Sequence, residues 1–264
     1  MAKKNESSKK NDDIKKNEDI KKKKNDATSW PSSYRLSFIG CVIADIFNLT
    51  CGAIPSVLFF LWIERNCALP FIDNYLQWPL IDLSHMPLSL RCLWNVSHFF
   101  VFGFLHSALA QAPVQRVVER VFPPQVIRTV FLCVTGLSLL MMMMNWQYTN
   151  SILWDLHLSP MLTLSLSIIP FNTLMLITTY LLTRFGFFSF LGLAQHRLYT
   201  HQIYRTEGMP TLITSGLYNW VRHPVYSFTL LAFTLTPIMT LDRALVAMAS
   251  ALYLLFGIPI EEKK

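Results

Sequence analysis

Residues 161–182 (MLTLSLSIIPFNTLMLITTYLL) run for about six helical turns without a charged side chain. A bilayer core of ~30 Å needs about 20 such residues per helix, and in lipid a chain can satisfy its own backbone only as helices or a closed barrel. Counting comparable runs gives six segments. They are 36–62 (interrupted by Asp45, Asn48 and Pro55), 92–112, 127–146, 161–182, and the shorter 224–240 and 244–260. Only Leu241, Asp242 and Arg243 separate the last two, which predicts a C-terminal helical hairpin. The expected fold class is all-α: a polytopic transmembrane helical bundle of about six spans, occupying residues 29–264.

Charge placement supports this. Only 15% of residues are charged, where soluble domains carry about a quarter. Ten lysines precede residue 25, and the remaining two are Lys263 and Lys264. Segments 66–90 and 147–160 hold neither Lys nor Arg. By contrast, 111–128 carries Arg116, Arg120 and Arg128, and 183–223 carries Arg184, Arg197, Arg205 and Arg222. Alternate gaps are therefore basic, as six crossings with cytosolic N- and C-termini require. The net charge of +7 forms no basic patch on a soluble surface, so the expected partner is the lipid bilayer and not nucleic acid. Residues 1–28 have too little apolar content to fold and read as a disordered basic cytosolic tail. They are no secretory signal, because the first apolar run is too long for one. Lys21 to Lys24 suit contact with anionic lipid or a nuclear address, and more plainly an orientation signal; the ER and the nuclear envelope are both compatible. Cys41, Cys51, Cys67, Cys92 and Cys133 show no CxxC pairing, so neither a disulfide framework nor a metal site is expected.

Three places hold residues suited to chemistry. The first is Gly216-Leu-Tyr-Asn-Trp-Val-Arg-His-Pro-Val-Tyr226. Proline is favoured in the first helical turn, so a helix should begin at Pro224 with Arg222 and His223 at its mouth. Unspent backbone donors, the positive dipole end and Arg222 make an anion site there, and Tyr218, Trp220 and Tyr226 offer aromatic faces for a purine or a sulfonium. The competing reading is an arginine snorkelling to headgroups within an aromatic belt. The second place is 92–112, where Asn95 and His106 are about 20° apart on a helical wheel and His98 lies nearby. Polar side chains inside a span are functional candidates by default, yet they also serve as interhelical hydrogen-bonding glue. His98 fits the glue; His106, followed by Ser107, fits either. The third place is Glu261-Glu262, which could accept from ribose hydroxyls or pair with Arg222, or simply be a solvated end.

These residues resemble the C-terminal signature of the membrane methyltransferases. That superfamily holds the isoprenylcysteine carboxyl methyltransferases, the NnrU-like proteins, nurim and the methanethiol S-methyltransferases, the last matching best. GLYNWVRHPVY, then Pro237 with Met239-Thr240, Tyr253, Gly257 and Glu261-Glu262 carry the likeness. His106-Ser107-Ala-Leu-Ala110, the stretch through Pro123, Arg128 and Trp146 to Trp154-Asp155, and Leu191-Gly192-Leu193-Ala194-Gln195 extend it upstream. The resemblance implies S-adenosyl-L-methionine as cofactor and methylation of a small thiol. Gln195, Tyr218, Arg222, His223, Glu261 and Glu262 would bind the cofactor. His106, His223 and Tyr226 would serve catalysis, with His106 assisting thiol deprotonation. Phe228 and Ala194 depart from the pattern, as does a chain that stops soon after the paired acids, where a truncated gene model or a missing part of the substrate-gripping surface is expected. These departures favour the alternative, a non-catalytic nurim-like structural protein of the nuclear envelope or ER.

Overall fold

The computed structural model describes residues 37–68, 79–184, 186, 190–193 and 216–261. The first span comprises α1 (Phe38–Phe47), a π-helical turn (Asn48–Ala53) and α2 (Ile54–Ala68). It is followed by α3 (Leu88–Leu109), a short α4 (Ala112–Val118) and α5 (Ile127–Met144). After strand β1 (Ile152–Asp155) come α6 (Pro160–Thr183), a 3-10 turn (Gly216–Asn219), α7 (Pro224–Thr234), strand β2 (Ile238–Thr240) and α8 (Leu241–Glu261). Among the described residues, five helical stretches are long and apolar enough to cross a bilayer: Phe38–Ile63, Leu88–Leu109, Ile127–Met144, Pro160–Leu182 and Leu241–Pro259. Their outward sides expose large apolar residues such as Phe38, Leu58, Phe104, Ile169, Leu176 and Phe256. The protein is thus an integral, multi-pass membrane protein.

The break in the first span has a local cause. Pro55 has no N–H to donate to the carbonyl four residues back, and the helix widens into a π turn just before it. The carbonyl of Cys51 then lies against Gly136 of α5, where a Cβ would collide with it. Small residues permit this close approach where apolar burial gives helices no net attraction in lipid. Elsewhere hydroxyls bond one turn back along their own helix: Thr50 donates to the Ile46 carbonyl (2.8 Å), Thr179 to Met175 (2.9 Å) and Thr229 to Val225 (2.9 Å). This lets a polar residue sit in a lipid-embedded helix.

The C-terminal hairpin differs from expectation at its joint. Helix α7 has eleven residues, about 16 Å, too short to cross. It ends at Thr234 because Leu235 is extended and Pro237 cannot continue a helix. Residues 238–240, expected inside the fifth span, form β2, antiparallel to β1 with Trp154 opposite Met239 and Asp155 opposite Ile238. Leu241-Asp242-Arg243 is the first turn of α8 and not the joint. Asp242 and Arg243 are both buried.

Their burial is explained by what they hold. Arg243 donates through Nε to the Phe233 carbonyl (2.6 Å) and through Nη2 to that of Ala232 (2.7 Å), closing the C-terminus of α7. The Asp242 carboxylate accepts from Trp146 Nε1 (3.0 Å), from Thr149 Oγ1 (2.9 Å) and from the Thr149 backbone N–H. Asn95 and the Gln147 backbone exchange two bonds of 2.8 Å, and Trp94 Nε1 donates to the Asn145 carbonyl. Gln147 in turn reaches the Ile81 carbonyl and accepts from the Leu83 N–H. All of this lies at the end of the bundle away from the basic gaps, here the far end. The apolar core, with Ile63, Phe99, Met142, Trp146, Phe233 and Val246, is packed toward it.

Candidate functional site

The basic end is the end where α1 and α5 begin, α3, α6 and α8 finish, and α7 opens. The far-end clamp sets how deep α7 reaches. Counted from the Arg243–Phe233 contact, ten residues back along α7 bring the chain to His223 and ten forward along α8 to Tyr253, about 15 Å in either direction. Helix α8 continues eight residues past Tyr253 to Glu261, about 12 Å more. Helix α8 therefore runs past the mouth of α7, which lies near the level where α3 and α6 end. Irregular backbone at membrane depth is tolerated where it lines a protein-walled cavity.

At that mouth His223 is the N-cap residue and no side chain among the described residues caps the helix, which is where an anion site can form. The His223 ring stacks on Tyr226 with centroids 5.7 Å apart and planes 13° from parallel. Tyr218 donates to the Leu181 carbonyl of α6 (3.4 Å), and its partial burial pushes the phenol above its usual range. Arg222 is exposed, as is Trp220, the most exposed of the large apolar side chains at 87%. Of the expected quartet, His223 and Tyr226 stack at the helix start with Arg222 just before it, while Tyr218 lies in the preceding 3-10 turn and is tied to α6. Gln195 and Glu262 lie outside the described residues, and Glu261 is described only as the last residue of α8.

His106 stands in the last turn of α3. Its Nδ1 is buried and has no hydrogen-bond partner among the described residues. The ring lies 5.1 Å from Phe131 of α5 and 6.0 Å from Phe102. Next to it, Ser107 Oγ and Tyr253 Oη are 2.6 Å apart, which ties the His-Ser pair to α8 at the depth of the α7 mouth. His98 bonds within its own helix, its Nδ1 lying 3.0 Å from the Trp94 carbonyl one turn back, and not between helices as expected.

Sequence reasoning passed over two residues here. Asn48 counted only as an interruption of the first span, yet it is fully buried with neither side-chain atom partnered among the described residues. Arg128 counted as a gap charge. Its Nη2 and Nε donate to the Phe190 carbonyl (2.8 and 3.3 Å), and its guanidinium lies over the Phe131 ring at 4.7 Å. A buried amide inside an apolar run was the one signal available for Asn48.

The bundle thus carries an Arg-His-Pro helix start on α7 and a His-Ser pair bonded to α8. Residues 173–264 match the isoprenylcysteine carboxyl methyltransferase (ICMT) family. The chain is 28% identical over 200 residues to a methanethiol S-methyltransferase of Crocosphaera subtropica, covering 74% of this chain and 76% of the relative. It is 27% identical over 212 residues to a methanethiol S-methyltransferase of Mycobacterium tuberculosis, covering 79% and 84%. It is 31% identical over 239 residues to nurim of Danio rerio, covering 85% and 84%. No solved structure matches it. The chain belongs to the isoprenylcysteine carboxyl methyltransferase-like family of membrane proteins, in the group that takes in the methanethiol S-methyltransferases and nurim.

Proposed function

We propose that this protein transfers a methyl group from S-adenosyl-L-methionine to a small thiol such as methanethiol, giving a thioether. The observation that carries the reading is the unpartnered, buried Nδ1 of His106, on a residue whose neighbour Ser107 joins α8 at about the depth of the α7 mouth. An imidazole nitrogen without a partner is a base with nothing yet to bond, and near neutral pH histidine suits that work. The cofactor, when bound, supplies an electrophilic methyl on a sulfonium. Arg222 and the uncapped first turn of α7 hold its carboxylate, and the faces of Tyr218 and Tyr226 contact the sulfonium or the adenine. His223, stacked on Tyr226, and Gln195 orient it, with Glu261 and Glu262 on the ribose. The remaining contribution is alignment and exclusion of water around the thiolate. Residues 1–28 form the cytosolic tail of a bundle formed by 29–264, with both termini and the mouth on the cytosolic side.

Purified protein given labelled S-adenosylmethionine and methanethiol should release labelled dimethyl sulfide. Failure to methylate any thiol, together with no cofactor binding by calorimetry, would sink the proposal. A second reading, a non-catalytic structural protein of the nuclear envelope or ER, draws on the nurim likeness. Cofactor binding opposes it, and a tagged protein confined to the nuclear rim without cofactor binding favours it.

A further inference from the structure

Asn48 opens the π turn of the first span, an irregularity frequent at functional sites. Leaving a buried polar group unpaired costs about 1–3 kcal/mol, and Asn48 leaves both its Oδ1 and its Nδ2 so among the described residues. Its surroundings are specific. Gly192 adopts φ +76°, and a Cβ there would stand 2.7 Å from Asn48 Nδ2 and 3.1 Å from Arg128 Cγ. A side chain at 192 would therefore collide with the amide and strain the backbone. Arg128 then spreads its guanidinium over Phe131, whose ring is also the neighbour of His106. The unpaired amide and the fixed cation of Arg128 thus meet at Gly192, and Arg128 in turn shares the Phe131 ring with the unpaired imidazole nitrogen of His106.

We propose that Asn48 and Arg128, together with His106, form the binding subsite for the methyl acceptor, a small alkyl thiol. The inference rests on the thiol-methylation reading above. On binding, the thiol proton moves from sulfur to His106 Nδ1 and sulfur keeps the electron pair as a thiolate. Asn48 Nδ2 donates to that sulfur, and the Arg128 guanidinium stabilises its charge, an attraction strengthened where water is excluded. A neutral amide suits the place better than a carboxylate, which would neutralise Arg128 and repel the thiolate. Arg128 is a positioning and charge-stabilising residue here, and Phe131 keeps the subsite narrow.

The test uses the full chain, purified in detergent, with ethanethiol as probe. Ethanethiol should raise the thermal unfolding temperature of the wild type. Asn48→Leu removes two unpaired buried polar atoms, so it should melt higher than wild type without ligand. It should also lose the ethanethiol response and raise the thiol KM about tenfold, with cofactor Kd unchanged. A purely structural amide would move stability and leave the thiol KM alone, and that result overturns the subsite. Arg128→Gln should lower kcat about a hundredfold. Because Arg128 also holds the Phe190 carbonyl, Asn48→Leu decides the matter if Arg128→Gln folds poorly. An ethanethiol response without methyl transfer keeps the subsite and removes the methylation reading; transfer indifferent to Asn48→Leu does the reverse.

Discussion

The two ends of this bundle treat buried polar groups in opposite ways. At the far end Asp242, Arg243, Asn95, Asn145 and Gln147 bond the loops to the helices, and Arg91 Nε and Ser167 Oγ are the buried side-chain atoms left over in that half among the described residues. In the basic half Asn48 leaves two such atoms unpaired and His106, Gln125, Thr135 and Thr178 one each, while no described side chain caps the mouth of α7. One end uses its polar groups to hold the fold, and the other leaves several unpaired, as the proposed site requires. Local rules are broken where a site needs them broken, and the structure elsewhere compensates.

Substitutions at the two ends should therefore separate stability from activity. Arg243→Leu should do the most damage to the fold, about 3 kcal/mol or more, because the carbonyls closing α7 lose a charged donor. A large fall in the thermal midpoint checks this; an unmoved midpoint would break the contrast. His106→Ala should lower kcat about a hundredfold while the thermal midpoint stays near wild type. Loss of folding in that variant would move His106 to the structural side. Asn95→Leu should cost about 2 kcal/mol by orphaning the Gln147 backbone, with cofactor affinity retained. Arg222→Ala, at an exposed position, should weaken cofactor binding about tenfold and leave the midpoint alone; unchanged affinity would remove its assigned role. Tyr218→Phe should be mildest, within about 0.5 kcal/mol, since the bond to Leu181 is long and its loss leaves an apolar ring in place. The raised Tyr218 phenol gives this contact a sign with pH. It is fully present below the unfolded phenol pKa near ~10 and is lost as pH rises through the higher folded value, so thermal melts at pH 7 and 8.5 should show no Tyr218-dependent difference.

Much of this could be read along the chain. Spans at 92–112, 127–146 and 161–182 appear as α3, α5 and α6 within a few residues of the expected limits. The wheel reading that puts Asn95 and His106 on one face holds, since Asn95 reaches the loop after α5 and His106 packs on α5 itself. The gathering at Pro224 was legible because proline, a preceding His and an aromatic one turn on are local signals. Asp242 and Arg243 were misjudged for the opposite reason. In a list of residues a charged pair between apolar runs looks like a turn, and only its partners Trp146, Thr149 and Phe233, far away in sequence, reveal a buried clamp.

What the sequence by itself determined is the membrane bundle, the alternation of basic gaps and the Arg-His-Pro helix start, because length, hydropathy and first-turn chemistry act over one or two turns of chain. What only the tertiary structure decided is the strand pairing of Trp154 with Met239, the half-length α7, and the packing of Asn48 and Arg128 about Gly192. Each of those depends on groups dozens of residues apart being packed together, and no local preference specifies which of them will touch.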